Sequence, residues 1–370
     1  MRAAVLREAG RALVIEDVTL AAPRAGEVLV RIEAAGVCHT DYHYMTGDMT
    51  APLPLVLGHE GCGIVEQLGA DTTGRVKVGD RVALMWRPRC GECAACVSGN
   101  PVLCVLGRVQ ATTGGLLDGT SRLSESHPGD ATEVLHHILG VSCFAERVVT
   151  SERSVVVVPD GVSAEIAAIA GCAVITGVGA VLNVVDDVAG RPMAVFGAGG
   201  VGLSAVMGAY LVGANPIIVV DVDDEKLALA REFGATHVVN AAAGDAVEGI
   251  LAIAPDGVRW AIEAIGRPAT LEQAFASVEA GGTVVAVGLG GVDTTFAVPI
   301  NQLVQRQKRI VGSLYGSANP RLDLPRIFEL YLAGRLPLDR LLGRRHTLEE
   351  VNDAYEQLIA GSVGRSVIIP

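Results

Sequence analysis

Two periodicities divide this chain. Near the N-terminus, residues 12–16 and 28–32 form short apolar-rich runs set off by Pro and Gly, with few helical stretches between them. That pattern predicts a β-rich first part. From about residue 174 the rhythm changes. Short apolar runs at 192–196, 216–221, 236–239, 258–263, 282–288 and 309–313 are separated by longer segments of helical character, such as the Ala-rich 203–212. Six such strands with helices between them predict a doubly wound parallel sheet over roughly 174–314. A polar, turn-rich stretch occupies residues 105–137, and the chain has neither an internal repeat nor a low-complexity tract.

One apolar run tests this picture. Residues 166–185 are twenty positions without a charge, enough to cross a bilayer. The run carries Gly171, Gly177 and Gly179, is Ala-rich, lacks aromatic side chains, and is followed by Asp186 and Asp187. No basic cluster marks a cytoplasmic flank, so a buried helix with Cys172 at its head is expected instead. The remaining composition agrees. A length of 370 residues favours two domains over one core, and 50% apolar with 19% charged residues describes a compact soluble protein. The net charge is −12, from 29 basic and 41 acidic residues, which argues against nucleic acid as a partner. Charge interrupts the apolar run of Met1-Arg-Ala-Ala-Val-Leu-Arg-Glu, unlike an export signal. The eight cysteines are therefore expected in a reducing cytoplasm.

Candidate chemistry begins at the first strand of the sheet. Directly after 192–196 comes Gly197-Ala-Gly199-Gly200-Val201-Gly202, then a helical run, then an apolar strand ending on Asp221. This is a dinucleotide fingerprint in its required context: glycines for a tight turn and close approach of the pyrophosphate, and a helix N-terminus facing its charge. A carboxylate at the tip of the second strand accepts hydrogen bonds from ribose hydroxyls and repels a 2′-phosphate, which favours NAD over NADP.

The cysteines carry the second signal. Cys90, Cys93, Cys96 and Cys104 fall within fifteen residues, with gaps of two, two and seven. Such spacing folds a loop so that four thiolates converge, the shell of a closed structural zinc site. A second group is scattered: Cys38 opens Cys38-His39-Thr40-Asp41-Tyr42-His43, His59 and Glu60 sit in Gly58-His59-Glu60-Gly61-Cys62-Gly63, and Cys172 lies far downstream in Ala170-Gly171-Cys172. Two thiolates and an imidazole leave a fourth zinc position open for a substrate oxygen. No one of these residues is diagnostic; the set is.

With these motifs the chain resembles the zinc-dependent alcohol dehydrogenases of the medium-chain dehydrogenase/reductase superfamily, from the first strand to Gly361-Ser-Val-Gly-Arg365-Ser-Val. The resemblance implies a GroES-like β-rich catalytic domain, residues 1–173 and 315–370, with a structural-zinc lobe at about 88–106, and a Rossmann NAD-binding domain at 174–314. It implies two zinc ions per chain, one held by Cys38, His59 and Cys172, with NAD as hydride acceptor. Thr40 and His43 become a proton path, although each also reads as an ordinary turn hydroxyl or surface imidazole. Asp41 would orient His59, and Glu60 would approach the metal as ligands exchange. His39 and Arg365 would meet the pyrophosphate, and Thr176 and Val287 would also contact cofactor. Lys226 matches the family's ribose lysine, and reads as well as a solvated lysine at a helix start. Trp86, Ile138, Leu139 and Leu289 match substrate-pocket positions, a narrow apolar lining suited to primary aliphatic or benzylic alcohols. The alternative is a class III-like dehydrogenase of a formaldehyde–thiol adduct, suggested by Arg108, by Asp118-Gly-Thr-Ser-Arg122 and by the Trp86-Arg87 pair. A non-catalytic NAD-binding protein is disfavoured because Cys38, Thr40, His59 and Cys172 are all present. The 105–137 stretch resembles the insertion of the dimeric branch, so a homodimer is expected, with a tetramer as the alternative.

Overall fold

Arg2–Leu6 pairs antiparallel with Val14–Leu20 across the turn at Gly10, in a register that sets Arg2 opposite Asp17 and Val5 opposite Val14. The second strand is therefore longer, and begins later, than the apolar run at 12–16 suggested. These strands belong to a closed barrel completed by Leu123–Glu125, Val134–His137 and Leu55–Val56, whose interior holds Ala3, Val5, Val18, Val56, Leu123, Leu135 and Ala145. The computed structural model from which this description is drawn covers residues 1–125 and 133–370. Part of the expected insertion, residues 126–132, lies outside them.

A larger sheet positions the chemistry. Its order is Val155–Val157, Arg81–Leu84, Glu60–Leu68, Glu27–Gly36, Arg365–Ile369 and Leu342–Thr347, with Arg147–Ser151 also on Glu27–Gly36. The strand expected at 28–32 extends to Gly36, because its antiparallel pairing with Glu60–Leu68 continues until Gly36 faces Glu60. That register has a consequence for the site. Cys38 stands two residues past the end of one strand and His59 one residue before the start of the other. A side chain at Gly36 would overlap the Glu60 carboxylate, so the close approach demands glycine there.

The chain forms two compact units. The first comprises Met1–Cys172, Asn319–Ala333 and Leu338–Pro370; the second comprises Ala173–Ala318 and Gly334–Pro337. The return to the first unit thus comes at Asn319, later than the expected 315. Leu314–Ser317 stays with the second unit because Asn183 Nδ2 donates to the Gly316 carbonyl at 3.1 Å.

The second unit is a six-stranded sheet in the order His237–Asn240, Ile217–Asp221, Met193–Phe196, Val258–Glu263, Val278–Ala286, Arg309–Gly312. All its pairings are parallel. Apolar strand residues such as Ala194, Phe196, Ile218, Ala261 and Val284 pack with Ile250, Ala274 and Phe275 of the covering helices, as a sheet covered by helices requires. Strand order reverses between Met193–Phe196 and Val258–Glu263, so a crevice opens at their C-terminal ends, where α/β sheets of this kind bind ligands.

One continuous helical run, Ala164–Leu182, is apolar and long enough to cross a membrane, yet 89% of its most apolar window is buried inside the protein. Ser163 caps its start by accepting from the Ile166 N–H at 3.3 Å. Cys172 lies within the run rather than at its head, in a π-helical turn, Ala170–Val174. Gly171 packs directly on the Leu84 carbonyl, an approach that a side chain would prevent.

Candidate metal centres and cofactor site

Four side chains from three parts of the sequence converge in the first unit. Cys38 is the N-cap of the helix His39–Thr46, His59 and Glu60 stand where the long strands meet, and Cys172 comes from the π turn. Their ligand atoms lie within 4.8 Å of one another and all four residues are buried. Cys172 Sγ is 3.4 Å from His59 Nε2. A tetrahedral zinc with bonds of about 2.3 Å to sulfur and 2.0–2.1 Å to nitrogen sets that edge at about 3.6 Å, so the donor set fits zinc. The other ring nitrogen, His59 Nδ1, lies 2.9 Å from Asp41 Oδ2, while Asp41 Oδ1 accepts from the Gly58 N–H at 3.0 Å. One buried carboxylate thereby fixes both the imidazole and the turn that carries it, leaving Nε2 for a metal.

Glu60 is gripped by Arg365, whose guanidinium makes a two-pronged contact with the carboxylate. Burial pushes the Glu60 carboxyl up to about 7, against the pull of Arg365. A hydrogen bond from Cys172 holds the Cys38 thiol below its usual range; burial opposes this, and Arg365 and His59 assist. Sequence reasoning assigned Arg365 to the pyrophosphate and missed its partnership with Glu60. The two residues are 305 positions apart, and no local pattern announces their contact.

The four-cysteine lobe shows the same fit. Sulfurs sharing one zinc at about 2.3 Å stand about 3.8 Å apart, and here Cys90–Cys104, Cys90–Cys96 and Cys93–Cys104 are separated by 3.6, 3.9 and 3.9 Å. A disulfide would need about 2.05 Å, and all eight cysteines are free. Backbone N–H groups of Glu92 and Cys93 point at Cys90 Sγ at 3.5 and 3.2 Å and lower its pKa. Cys93 is brought down to about 6 by the N–H groups of Cys96 and Val105. These contacts favour the thiolate, the ligating form, at Cys90 and Cys93, whereas burial pushes the Cys96 thiol up and that of Cys104 up to about 12.

In the second unit, the glycines of the turn meet three different demands. Gly197 has φ +95°, in the left-handed region. At Gly202 a side chain would collide with the Gly197 carbonyl. Gly199 has an extended backbone and nothing within 4 Å of where a Cβ would sit, so the fold itself does not require glycine there. The clear space at a helix N-terminus is what a pyrophosphate needs. Gly200 and Val201 begin that helix, Gly200–Leu211, three residues earlier than the apolar run indicated. Asp221 Oδ2 accepts from Ala198 N at 2.6 Å and Oδ1 from Val222 N and Asp223 N at 2.8 and 3.1 Å. Its carboxylate is therefore fixed at the strand tip. Lys226 lies in the first turn of Asp224–Glu232, Thr176 is buried in Ile175–Leu182, and Val287 donates to the Glu263 carbonyl at 2.8 Å.

Thr40 is half-buried and His39 exposed on the Cys38-capped helix, and His43 Nδ1 lies 3.2 Å from Asp48 Oδ2. Trp86 meets His59 edge-on, ring centroids 6.1 Å apart, and the Arg87 guanidinium lies over its indole at 5.0 Å. Ile138 and Leu139 are buried in a tight turn with Leu139 at φ +49°. Leu289 belongs to the second unit and is 44% exposed. Arg122 is buried between Glu27 and Asp118, and so is committed to the fold rather than to a substrate.

Comparison with known proteins accords with this geometry. Residues 24–160 match the alcohol dehydrogenase GroES-like domain and residues 200–332 the zinc-binding dehydrogenase model. The chain is 37% identical to an S-(hydroxymethyl)glutathione dehydrogenase of Komagataella pastoris, covering 99% of this chain and 97% of the relative. It is 38% identical to an NDMA-dependent alcohol dehydrogenase of Amycolatopsis methanolica, covering 100% and 98%. The crystal structure of benzyl alcohol dehydrogenase from Acinetobacter calcoaceticus superposes with a TM-score of 0.92 at 33% identity, covering 100% and 98%. The chain is a member of the zinc-dependent alcohol dehydrogenase family of the medium-chain dehydrogenase/reductase superfamily.

Proposed function

We propose that this enzyme reversibly oxidises primary alcohols, aliphatic or benzylic, to aldehydes with NAD. The observation that carries the substrate class is Trp86 standing edge-on against the ligand His59, an apolar wall built directly beside the metal cluster. When bound, zinc supplies Lewis acidity toward the alcohol oxygen and NAD accepts the hydride. The chain's own residues do the rest. Asp41 keeps His59 in one tautomer and orientation. Trp86 excludes water and sets the width of the site. Thr40, one helical turn from His43, carries the proton outward, and His43 releases it beside Asp48.

The adduct reading remains the alternative, supported by the Komagataella pastoris relative. Two residues that suggested it, Asp118 and Arg122, are engaged with each other and with Glu27, which leaves the exposed Arg108 as its anchor. A panel of primary, benzylic and secondary alcohols, with and without formaldehyde plus glutathione or other small thiols, separates the readings. Activity confined to the thiol adduct, with a sharp rise in its KM in Arg108→Ala, would replace the first by the second. Under the first reading Trp86→Ala should shift preference toward bulkier alcohols, since misfit of one methylene is worth about 1–3 kcal/mol. We further propose a cytoplasmic homodimer, for which six of eight thiols in metal-type clusters and the resemblance of the 105–137 stretch to the insertion of the dimeric branch speak; sedimentation distinguishes it from a tetramer.

A further inference from the structure

Glu263 ends the strand Val258–Glu263 in the middle of the sheet of the second unit, fully buried. A carboxylate removed from water is costly unless it is paired, and among the ion pairs described Glu263 has no cationic partner. It is satisfied by the loop and the start of the helix that follow it. Oε1 accepts from Ile265 N at 3.0 Å, Gly266 N at 2.9 Å and Thr270 Oγ1 at 2.7 Å, and Oε2 accepts from Gly266 N at 3.1 Å. Thr270 lies in the first turn of the helix Pro268–Ser277, whose positive end favours the charge. The Glu263 carbonyl meanwhile accepts from Val287 N and Gly288 N at 2.8 and 3.0 Å. One residue thus fastens two loops, 264–267 with its side chain and 287–290 with its main chain.

The loops it fastens face the crevice. Ala264 N donates to the Phe196 carbonyl at 3.0 Å, and Ile265 fills the space beside Gly197 that a side chain there would need. On the other side, Gly266, at φ +83°, packs on the backbone of Leu289, and Gly288 on the backbone of Ile265 and Gly266. No side chain intervenes between the two loops at these points, so their spacing follows directly from how the backbone is tied. Glu263 lies at the reversal of strand order, beside the strand that leads into the glycine turn.

We propose that Glu263 is a positioning residue for the dinucleotide: its buried carboxylate holds the 264–267 loop against both the glycine turn and the 287–290 loop, and so presets the crevice for NAD. The inference rests on the assignment of NAD to this unit. Such a residue acts on cofactor affinity without touching the cofactor.

The test is NADH binding by fluorescence titration on the zinc-loaded enzyme, with Glu263→Ala, Glu263→Gln and Thr270→Val. Glu263→Ala should raise the Kd about tenfold or more, and the KM for NAD should change several times more than kcat. Glu263→Gln keeps an oxygen for the three bonds made by Oε1 and should largely restore affinity. Thr270→Val, which removes one of those bonds and conserves shape, should give a smaller rise of about threefold. Thr270→Val keeps the proposal testable if Glu263→Ala fails to fold. A lower melting temperature with unchanged Kd in the folded variants would make Glu263 merely structural and overturn the proposal. Failure of the unmodified enzyme to bind NADH would instead strike the cofactor assignment, and the proposal with it.

Discussion

Gly199 and Gly202 stand three residues apart in one turn, and only at Gly202 does the fold itself exclude a side chain; on the proposed reading the dinucleotide excludes one at Gly199. Gly199→Ala places a methyl in open space, so melting temperature should hold while the Kd for NADH rises about tenfold or more. Gly202→Ala forces a methyl onto the Gly197 carbonyl and should lower the melting temperature as well; equal behaviour of the two variants would refute the distinction. His137 offers a second test. Burial, with help from Arg122 and His136, pushes its pKa down to about 3, and its Nε2 accepts from Arg122 N at 3.3 Å. Between about pH 6.5 and 3 the unfolded chain takes up a proton that the folded chain refuses, so stability falls as pH drops, by up to about 1.4 kcal/mol per pH unit. His137→Gln removes the titration and keeps an acceptor for Arg122. Its urea midpoint should fall less between pH 7 and pH 4 than that of the unmodified protein, and an identical fall would rule the mechanism out.

At the level of elements, the two metal clusters are built differently and should fail differently. Cys96→Ser should release one of two zinc ions and loosen the lobe, whose short helix Ala94–Val97 buries none of its residues. Cys172→Ser should abolish turnover and leave the fold largely intact; metal analysis finding one zinc in fully active protein would contradict the assignment of two ions with separate roles. Much of this was legible in the sequence. Thiol spacing, the glycine turn and the acid at Asp221 are local signals, because each motif's chemistry is enclosed in a few consecutive residues. What could not be read there depends on pairing across the chain. The strand Val14–Leu20 is set by its partner Arg2–Leu6, the extension of Glu27–Gly36 by Glu60–Leu68, and the grip of Arg365 on Glu60 by the C-terminal strand. The π turn at Cys172 has no composition of its own in an apolar run. Glu263 did leave a trace, an acid closing an apolar strand just as Asp221 does, but its partners appear only when the loop is folded.

For the whole molecule, a net charge of −12 and a membrane-length helix buried within the protein describe a chain that keeps its most apolar segment for its own interior. The lobe is the opposite case. Its thiols are only partly covered, with Cys104 alone fully buried, and exposed Val97 and Leu103 contribute little to any core. With buried packing there confined to a few residues such as Pro101 and Val102, cohesion is expected to depend on an ion that the surroundings can supply or withhold. Free zinc concentration then acts on this stretch as temperature or urea acts on the rest, and a chelator becomes a denaturant for about twenty residues only. Incubation with a strong chelator should expose the segment near 88–106 to a protease while the glycine-turn unit resists cleavage and still binds NADH. Uniform digestion of the chain would show that the lobe is held by packing after all. In a cell starved of metal, this surface loop would become the site at which scarcity is first written into the polypeptide as a cut.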